Sequence, residues 1–324
     1  MRRRGLMTFA VLGVAVFAGL ALYGDLPELL GEISSFPIAY WFMALGLALA
    51  NYLFRLARWH YYLKLLGVKI GLGASTVIFI SGLSMAISPG RLGELAKSYF
   101  LKEKLDVPVA LSSTAVVTER ITDLISVLLL SLWGLTLIPY GWVVALAVLA
   151  AFAIFILLVV SPWGSDKLLR LPMPRRWRPF LSTSRDAFRQ VFSVKPLVVA
   201  LLLGTLAWSA EGCAMWLVLR GLDTTVSLGH AVSIYAAATL LGAITMLPGG
   251  LVGTEGGMVA LLQQLGLTRT HASTATFIIR VCTLWFAVLI GLLALVYVQA
   301  HMPRRAAEGA KSLTPYSDTQ GHLS

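Results

Sequence analysis

Long apolar runs constrain this chain more than any other feature of its sequence. Of its 324 residues, 58% are hydrophobic and 13% are charged, whereas soluble domains carry about 25% charged residues. A helix needs about 20 apolar residues to cross a bilayer. The composition therefore excludes a soluble enzyme, a disordered chain and, with two cysteines, a disulfide-stabilised scaffold. Six runs are long enough to be full spans: 6–24, 38–57, 109–138, 142–161, 197–219 and 272–298.

These runs predict an all-α polytopic integral membrane protein. We expect one transmembrane domain over 1–298 and a flexible, polar, cytosolic tail over 299–324. Two further apolar stretches, 72–88 and 229–247, are shorter, and each runs into a Pro-Gly pair. They need a separate interpretation, which depends on where the charges lie.

Lysine and arginine are unevenly distributed between the connections. If the N-terminus is cytosolic, 22 of the 26 basic residues fall on the cytosolic side, with Arg55, Arg58 and the loop 162–196 among them. The opposite connection, 25–37, holds acidic residues and no basic ones. Because cytosolic connections are enriched in basic residues, we predict that both termini are cytosolic. The loop 162–196 is expected to contact anionic lipid headgroups, and this distribution argues against a nucleic-acid partner.

Two segments share a Pro-Gly pair followed by a glutamate. The first reads Ser88-Pro-Gly-Arg-Leu-Gly-Glu94, and the second reads Leu247-Pro-Gly-Gly-Leu-Val-Gly-Thr-Glu255. An arginine follows at a similar distance in both: Arg120 is 26 positions after Glu94, and Arg280 is 25 positions after Glu255. We therefore predict two repeat halves, at about 38–138 and 197–298.

Proline and glycine interrupt helices, and irregular backbone at membrane depth is tolerated only inside protein or beside water. We therefore interpret 72–104 and 229–264 as re-entrant hairpins that enter from opposite sides, because three spans separate them. The halves would then form an inverted repeat, as in many transporters. Alternatively, Pro-Gly marks ordinary loops, which gives eight spans and removes the charge bias. The predicted turn residues are Pro89, Gly90, Gly93, Pro248, Gly249, Gly250 and Gly253.

Charged residues inside the spans cost about 2.5–3.5 kcal/mol each at the bilayer centre, so they must pair or face water. The simplest pairing joins each motif glutamate to the arginine that follows it. Lys97, with Lys102 and Lys104, is expected to point toward the cytosolic rim. These charged residues would either form ion pairs that hold helices together or line a hydrated cavity for a charged headgroup. The predicted cavity residues are Arg91, Glu94, Lys97, Glu119, Arg120, Asp123, Glu255 and Arg280, with Glu211 as a weaker candidate.

No catalytic, metal or cofactor site is predicted. The five histidines are scattered, and the sequence contains no HExxH motif, P-loop or GxSxG motif with a recognisable acid and base. We therefore expect that the protein is not an enzyme and that any transport is passive or ion-coupled.

The ordered set of motifs resembles one family. Arg55-x-x-Arg58-Trp59, the two Pro-Gly segments, Thr118-Glu-Arg-Ile-Thr-Asp123 and Arg280 are similar to the transmembrane region of lysylphosphatidylglycerol synthase, a flippase-like family, over about 38–298. The resemblance implies a region that flips a phospholipid. In the best-known members a separate cytosolic domain makes an aminoacylated lipid, and that domain is not expected here.

We therefore expect a lipid translocase of a bacterial inner membrane. It would move a phospholipid or polyprenyl-linked lipid with a charged headgroup, and membrane lipids would be its partners. A second copy of the chain and a lipid-pathway enzyme stay open as further partners. Two other functions also stay open: a membrane-embedded transferase or hydrolase acting on lipid-linked substrates, and a non-transporting partner of a glycosyltransferase.

Overall fold

The computed structural model describes residues 18–20, 22–88, 92–135, 140–155 and 178–302. The secondary-structure elements in this part of the chain are helices. In chain order they are α1 Leu26–Ser35, α2 Ile38–Leu65, α3 Leu72–Leu83, a 3₁₀ turn Leu92–Leu95, α4 Ala96–Leu105, α5 Val109–Leu135, α6 Gly141–Phe155, α7 Arg178–Val191, α8 Val194–Gly221, α9 Leu228–Ile244, α10 Gly253–Gln264, α11 Arg269–Arg280, a π-helical turn Val281–Trp285, and α12 Phe286–His301.

Within the described residues, three helical stretches are long and apolar enough to cross a membrane: α2, α8 and the continuous stretch Arg269–His301. They correspond to three of the six predicted spans. The predicted span 109–138 is the 27-residue helix α5, which carries three charged residues near its middle. Helix α6 covers most of 142–161, and 6–24 lies mainly outside the described residues. The all-helical membrane fold is confirmed, and the number of spans stays a prediction.

Helix α8 is the central element of the bundle, in contact with α2, α5 and α9. Small residues allow the close approach of α8 to α2: Ala48 on α2 and Ala200 and Ala207 on α8 are completely buried. The Asn51 side-chain amide donates a hydrogen bond to the Ala207 carbonyl across this contact, at 2.8 Å. Close packing of small residues and interhelical hydrogen bonds are the usual means of holding helices together in a bilayer.

Both Pro-Gly segments join two helices that pack against each other: α3 with α4, and α9 with α10. Helix α3 has 12 residues and α9 has 17. At 1.5 Å per residue they reach about 18 Å and about 25 Å, less than the roughly 30 Å hydrocarbon core. We call the second part of each pair the return arm: the 3₁₀ turn with α4 in the first pair, and α10 in the second. A glycine at the start of each return arm lies against the residues that follow the preceding helix: Gly93 against Met85 and Ser88, and Gly253 against Thr245.

The contact between α3 and α12 allows a test of how the first Pro-Gly pair, α3 and α4, packs in the bundle. A Cβ atom added to Gly291 on α12 would lie within 3 Å of the Leu83 and Ser84 backbone. We expect Gly291→Ala to lower the stability of the protein by about 1–3 kcal/mol, because neither backbone segment can move without strain. Thermal unfolding in detergent measures this. Gly46→Ala, where nothing lies within 4 Å of the new methyl group, is the matched control, and equal effects of the two changes would contradict the packing.

Candidate functional site

Glu94 is the centre of the first charged cluster. It lies in the 3₁₀ turn that opens the return arm, and it is 1% exposed. Its Oε1 is 3.4 Å from Arg55 Nη2 on α2, and its Oε2 is 3.1 Å from Arg120 Nη2 on α5. The Lys97 ammonium is 3.5 Å from the same Oε2. One carboxylate thus joins the return arm to two long helices.

Lys97 and Glu119 form a second buried pair beside the first. The Lys97 Nζ donates to Glu119 Oε2 at 2.7 Å, and both side chains are almost completely buried. The ammonium also lies over the Trp59 ring at 4.4 Å and the Phe79 ring at 5.1 Å. Aromatic faces stabilise a desolvated cation, so this lysine is held inside the bundle by three helices.

Asp123, one helical turn after Glu119, connects α5 to α2 and α8. Its Oδ1 accepts a hydrogen bond from Arg58 at 2.5 Å and another from the Trp208 indole at 3.2 Å. Its Oδ2 is 2.9 Å from Arg120 Nη2. Arg58 is completely buried, so Asp123 is the carboxylate that neutralises it.

The second Pro-Gly segment has its own ion pair. Arg280 Nε donates to Glu255 Oε1 at 2.5 Å, and its Nη2 donates to the Gly249 carbonyl at 2.9 Å. Gly249 and Gly250 have φ angles of 65° and 67°, a region that glycine adopts without steric cost. One guanidinium therefore fixes both the turn and the helix that follows it.

Residues beside the two Pro-Gly turns meet in the interior. Ala86 and Ile87, just before the first turn, form an apolar cluster with Leu251 from the second turn and with Leu284 from the π-helical turn. The ideal Cβ position at Gly249 lies 3.5 Å from Ile87 Cα. The two charged clusters are thus brought close together by a direct contact between the two helical pairs.

A cavity of about 270 Å³ lies next to both clusters. In the first predicted half its wall comes from α5, and in the other half from α8, α9, the second turn, the start of α10 and the end of α11. Arg120, Asp123 and Arg280 supply charges. The remaining lining residues are Leu124, Val127, Trp208, Tyr235, Thr239, Leu240, Gly242, Ala243, Met246, Leu247, Gly249, Gly250 and Thr254.

The cavity wall carries polar atoms that lack hydrogen-bond partners among the described residues. Arg120 Nε and Nη2 and Asp123 Oδ2 are such atoms, although the two side chains lie close to each other. Arg120 thus forms ion pairs with Glu94 and Asp123, but its Nη2 does not have the geometry of a hydrogen bond to either carboxylate. The Arg120 side chain is nevertheless 21% exposed and lines the cavity, and a guanidinium group matches a phosphate group in geometry.

A smaller polar cavity of about 20 Å³ lies behind the first and shares Tyr235 and Arg280 with it. Glu211 on α8 faces this space and accepts a hydrogen bond from the Tyr235 hydroxyl at 2.7 Å. Tyr52, Arg55 and Thr283 complete the polar wall. The two cavities are thus separated by a phenol and a guanidinium.

The structure brings most of the predicted site residues together. Glu94 contacts Arg120 and Glu255 contacts Arg280, the two pairings expected from the sequence. Arg120, Asp123 and Arg280 line the cavity, whereas the other described members stand behind it in ion pairs. The predicted residues Pro89, Gly90 and Arg91 lie outside the described residues.

Three basic residues that are expected toward the cytosolic side, Arg55, Arg58 and Lys97, are buried in ion pairs inside the bundle. Helix α2 continues to Leu65 instead of ending near residue 57, so Arg55 and Arg58 lie within a helix and not in a connection. The excess of lysine and arginine in the connections on one side therefore depends on fewer residues than the sequence suggested. The orientation of the chain in the membrane stays a prediction.

Sequence reasoning missed several contributors to the site: Arg55, Arg58, Trp208 and Tyr235. The spacing of Arg55, Arg58 and Trp59 was a usable signal, because residues three or four apart share one helical face. Trp208 and Tyr235 gave no comparable signal. Within the described residues, no group of three or more His, Cys, Asp and Glu side chains is arranged to hold a metal ion.

Comparison with known proteins agrees with the motifs. The profile of the family described as lysylphosphatidylglycerol synthase TM region matches residues 10–291. A UPF0104 membrane protein of Methanothermobacter thermautotrophicus is 28% identical over 126 residues, which are 39% of this chain and 37% of that protein. Another alignment with a UPF0104 membrane protein of that organism is 21% identical and covers 93% of this chain and 95% of the relative.

Proposed function

Since the chain belongs to the lysylphosphatidylglycerol synthase TM region family, we propose that it is a lipid translocase. The observation that carries the proposal is the cavity between the two segments 38–138 and 197–298. It joins a charged wall to an apolar wall inside a membrane bundle. A phospholipid has the same two parts, a charged headgroup and apolar chains.

The charged wall suits a headgroup phosphate. Arg120 and Arg280 both line the cavity, and Arg120 is 21% exposed at its side chain. The apolar wall, with Leu124, Val127 and Leu240, offers a surface for the first part of the acyl chains. Met246 and Leu247 are partly exposed at the edge of the cavity, where acyl chains would reach the bilayer.

The Pro-Gly segments are the proposed moving parts. In this proposal they are re-entrant hairpins from opposite leaflets, and their turns gate the cavity alternately. The short lengths of α3 and α9 and the contact between Ile87 and the second turn support this arrangement. We place the protein in a bacterial inner membrane with both termini cytosolic.

Translocation is tested with the full chain in liposomes that contain fluorescent phospholipids of several headgroup charges. We expect wild-type protein to accelerate their movement between leaflets and Arg120→Ala to slow it about tenfold or more, because a charge-assisted contact is lost. Lys102→Ala is the control, because Lys102 pairs with Asp106 on the exposed surface.

The proposal would be contradicted if liposomes with wild-type protein moved every lipid of the panel between leaflets no faster than liposomes without protein. Equal rates for Arg120→Ala and wild type would remove the cavity from the mechanism.

A further inference from the structure

A groove of about 390 Å³ lies on the outer surface of the bundle, between α2 and the start of α3. Its lining residues are Leu53, Leu56, Ala57, His60, Tyr61, Lys64 and Leu72. None of these residues lines either of the two interior cavities. Leu53 and Leu72 are 64% and 63% exposed, so the groove opens away from the bundle. It is therefore a separate place where a molecule from the bilayer can contact the protein.

The groove follows from the spacing of residues along α2. Positions 53, 56, 57, 60, 61 and 64 recur at intervals of three and four, which places them on one helical face. Arg55, Arg58 and Trp59 lie on the other side of the helix and are buried in the bundle. Helix α2 thus packs against other helices with one face and turns the groove toward lipid.

The length of α2 sets the depth of the two ends of the groove. With 28 residues at 1.5 Å each, the helix is about 42 Å long, whereas the hydrocarbon core is about 30 Å thick. The apolar part of α2 is the run 38–57, so the residues after position 57 extend to the depth of the headgroups. Leu53 therefore lies at the depth of acyl chains, and Lys64 lies about 16 Å further along the helix, among headgroups.

The headgroup end of the groove is positively charged. Residues 38–83 contain four lysine and arginine residues and no aspartate or glutamate. Arg55 and Arg58 are neutralised by carboxylates from other elements, whereas Lys64 and Lys69 are exposed. The segment that forms the groove thus provides no carboxylate for an ammonium group, and it presents a cation to a phosphate group.

The two ends of the groove match the two parts of a phospholipid. Lys64, His60 and Tyr61 supply an ammonium, an imidazole and a phenol hydroxyl, which can all donate hydrogen bonds to phosphate oxygens. The leucine residues of the groove offer an apolar surface to an acyl chain. A dissolved anion would use only the first end. A zwitterionic phospholipid brings an ammonium group, which Lys64 repels.

We propose that this groove is a binding site for one anionic phospholipid of the surrounding bilayer. The phosphate lies beside His60, Tyr61 and Lys64, and one acyl chain follows α2 toward Leu53. The site is separate from the interior cavity, and the inference does not rest on lipid translocation. One lysine at a membrane surface favours anionic over zwitterionic lipid about fivefold, which sets the size of the expected preference.

The test is fluorescence quenching by brominated phospholipids, with the full chain in liposomes. A bimane fluorophore on Leu53→Cys reports the lipid in the groove, because bromine atoms on an acyl chain quench only a fluorophore that they contact. Cys213 is replaced by alanine, whereas Cys282 is buried and is kept. We expect brominated phosphatidylglycerol to occupy this position with about fivefold higher relative affinity than brominated phosphatidylcholine.

The matched control places the same fluorophore on Leu202→Cys. Leu202 is 60% exposed on α8 and lies outside the groove, so the two brominated lipids should quench it equally. The same preference for phosphatidylglycerol at both positions would show a general enrichment of anionic lipid around the protein, and it would overturn the inference.

Two variants separate the charge of the groove from its shape. Lys64→Gln removes the cation, and Ala57→Phe fills the groove without changing its charge. We expect each variant to abolish most of the preference at position 53. Lys195→Gln, which removes an exposed charge at the start of α8, should leave the preference unchanged. Equal quenching by both lipids at position 53, or a preference that survives Lys64→Gln or Ala57→Phe, would overturn the inference.

Discussion

Arg280→Ala is expected to lower the free energy of unfolding by about 3–5 kcal/mol and to abolish lipid movement. The change leaves Glu255 buried without its guanidinium and leaves the Gly249 carbonyl without its donor. An uncompensated buried charge is more costly than the ion pair it came from. Thermal unfolding in detergent and the liposome assay measure the two effects separately.

A double variant separates the stabilising role of Arg280 from its proposed role in binding. Combining Arg280→Met with Glu255→Gln removes both charges, so most of the lost stability should return, whereas lipid movement should not. Arg269→Ala is the control on the same helix, because Arg269 is exposed and lies over Tyr23. A double variant that regains both stability and lipid movement would show that Arg280 serves only to hold the fold.

Asp123→Asn should be nearly as damaging, with a loss of about 3–5 kcal/mol. The amide keeps the shape of the carboxylate and can still accept a hydrogen bond from Trp208, but it no longer neutralises Arg58, which is completely buried. Thermal unfolding of the two forms gives the difference. Adding Arg58→Met should recover much of the stability, because a hydrophobic side chain of similar length replaces the unpaired cation.

Asp106→Asn is the matched control for Asp123→Asn. It removes the same charge from an ion pair with Lys102, where both side chains are more than half exposed. Exposed pairs contribute about 0–1 kcal/mol. Similar destabilisation at positions 106 and 123 would mean that the buried network does not hold α2, α5 and α8 together.

The ion pairs within each Pro-Gly unit could be predicted from the sequence. An unpaired charge inside an apolar span is costly, and each unit supplies one glutamate and one later arginine at nearly equal spacing. Glu94 with Arg120 and Glu255 with Arg280 follow from that argument alone. The membrane-helical fold followed from the apolar runs for the same reason, because a bilayer leaves few other structures.

The contacts between distant helices could not be predicted in this way. Arg55 and Arg58 stand at the end of an apolar run, so the sequence suggested the membrane rim, whereas their partners Glu94 and Asp123 lie on other helices. The cavity itself depends on how the side chains of α5, α8 and α9 fill the space between them. No spacing along one helix contains that information.

The most direct measurement uses a phospholipid with a photoreactive diazirine on its headgroup, incorporated with the full chain into liposomes. After illumination, the labelled residues are identified by peptide mass spectrometry. We expect labels on the charged part of the cavity wall, at Arg120, Asp123, Arg280 or the neighbouring Thr254, and their loss when unlabelled lipid is in excess. Labels confined to outward-facing residues such as Leu202, Leu206 and Leu293, which are at least half exposed, would contradict a headgroup site inside the bundle.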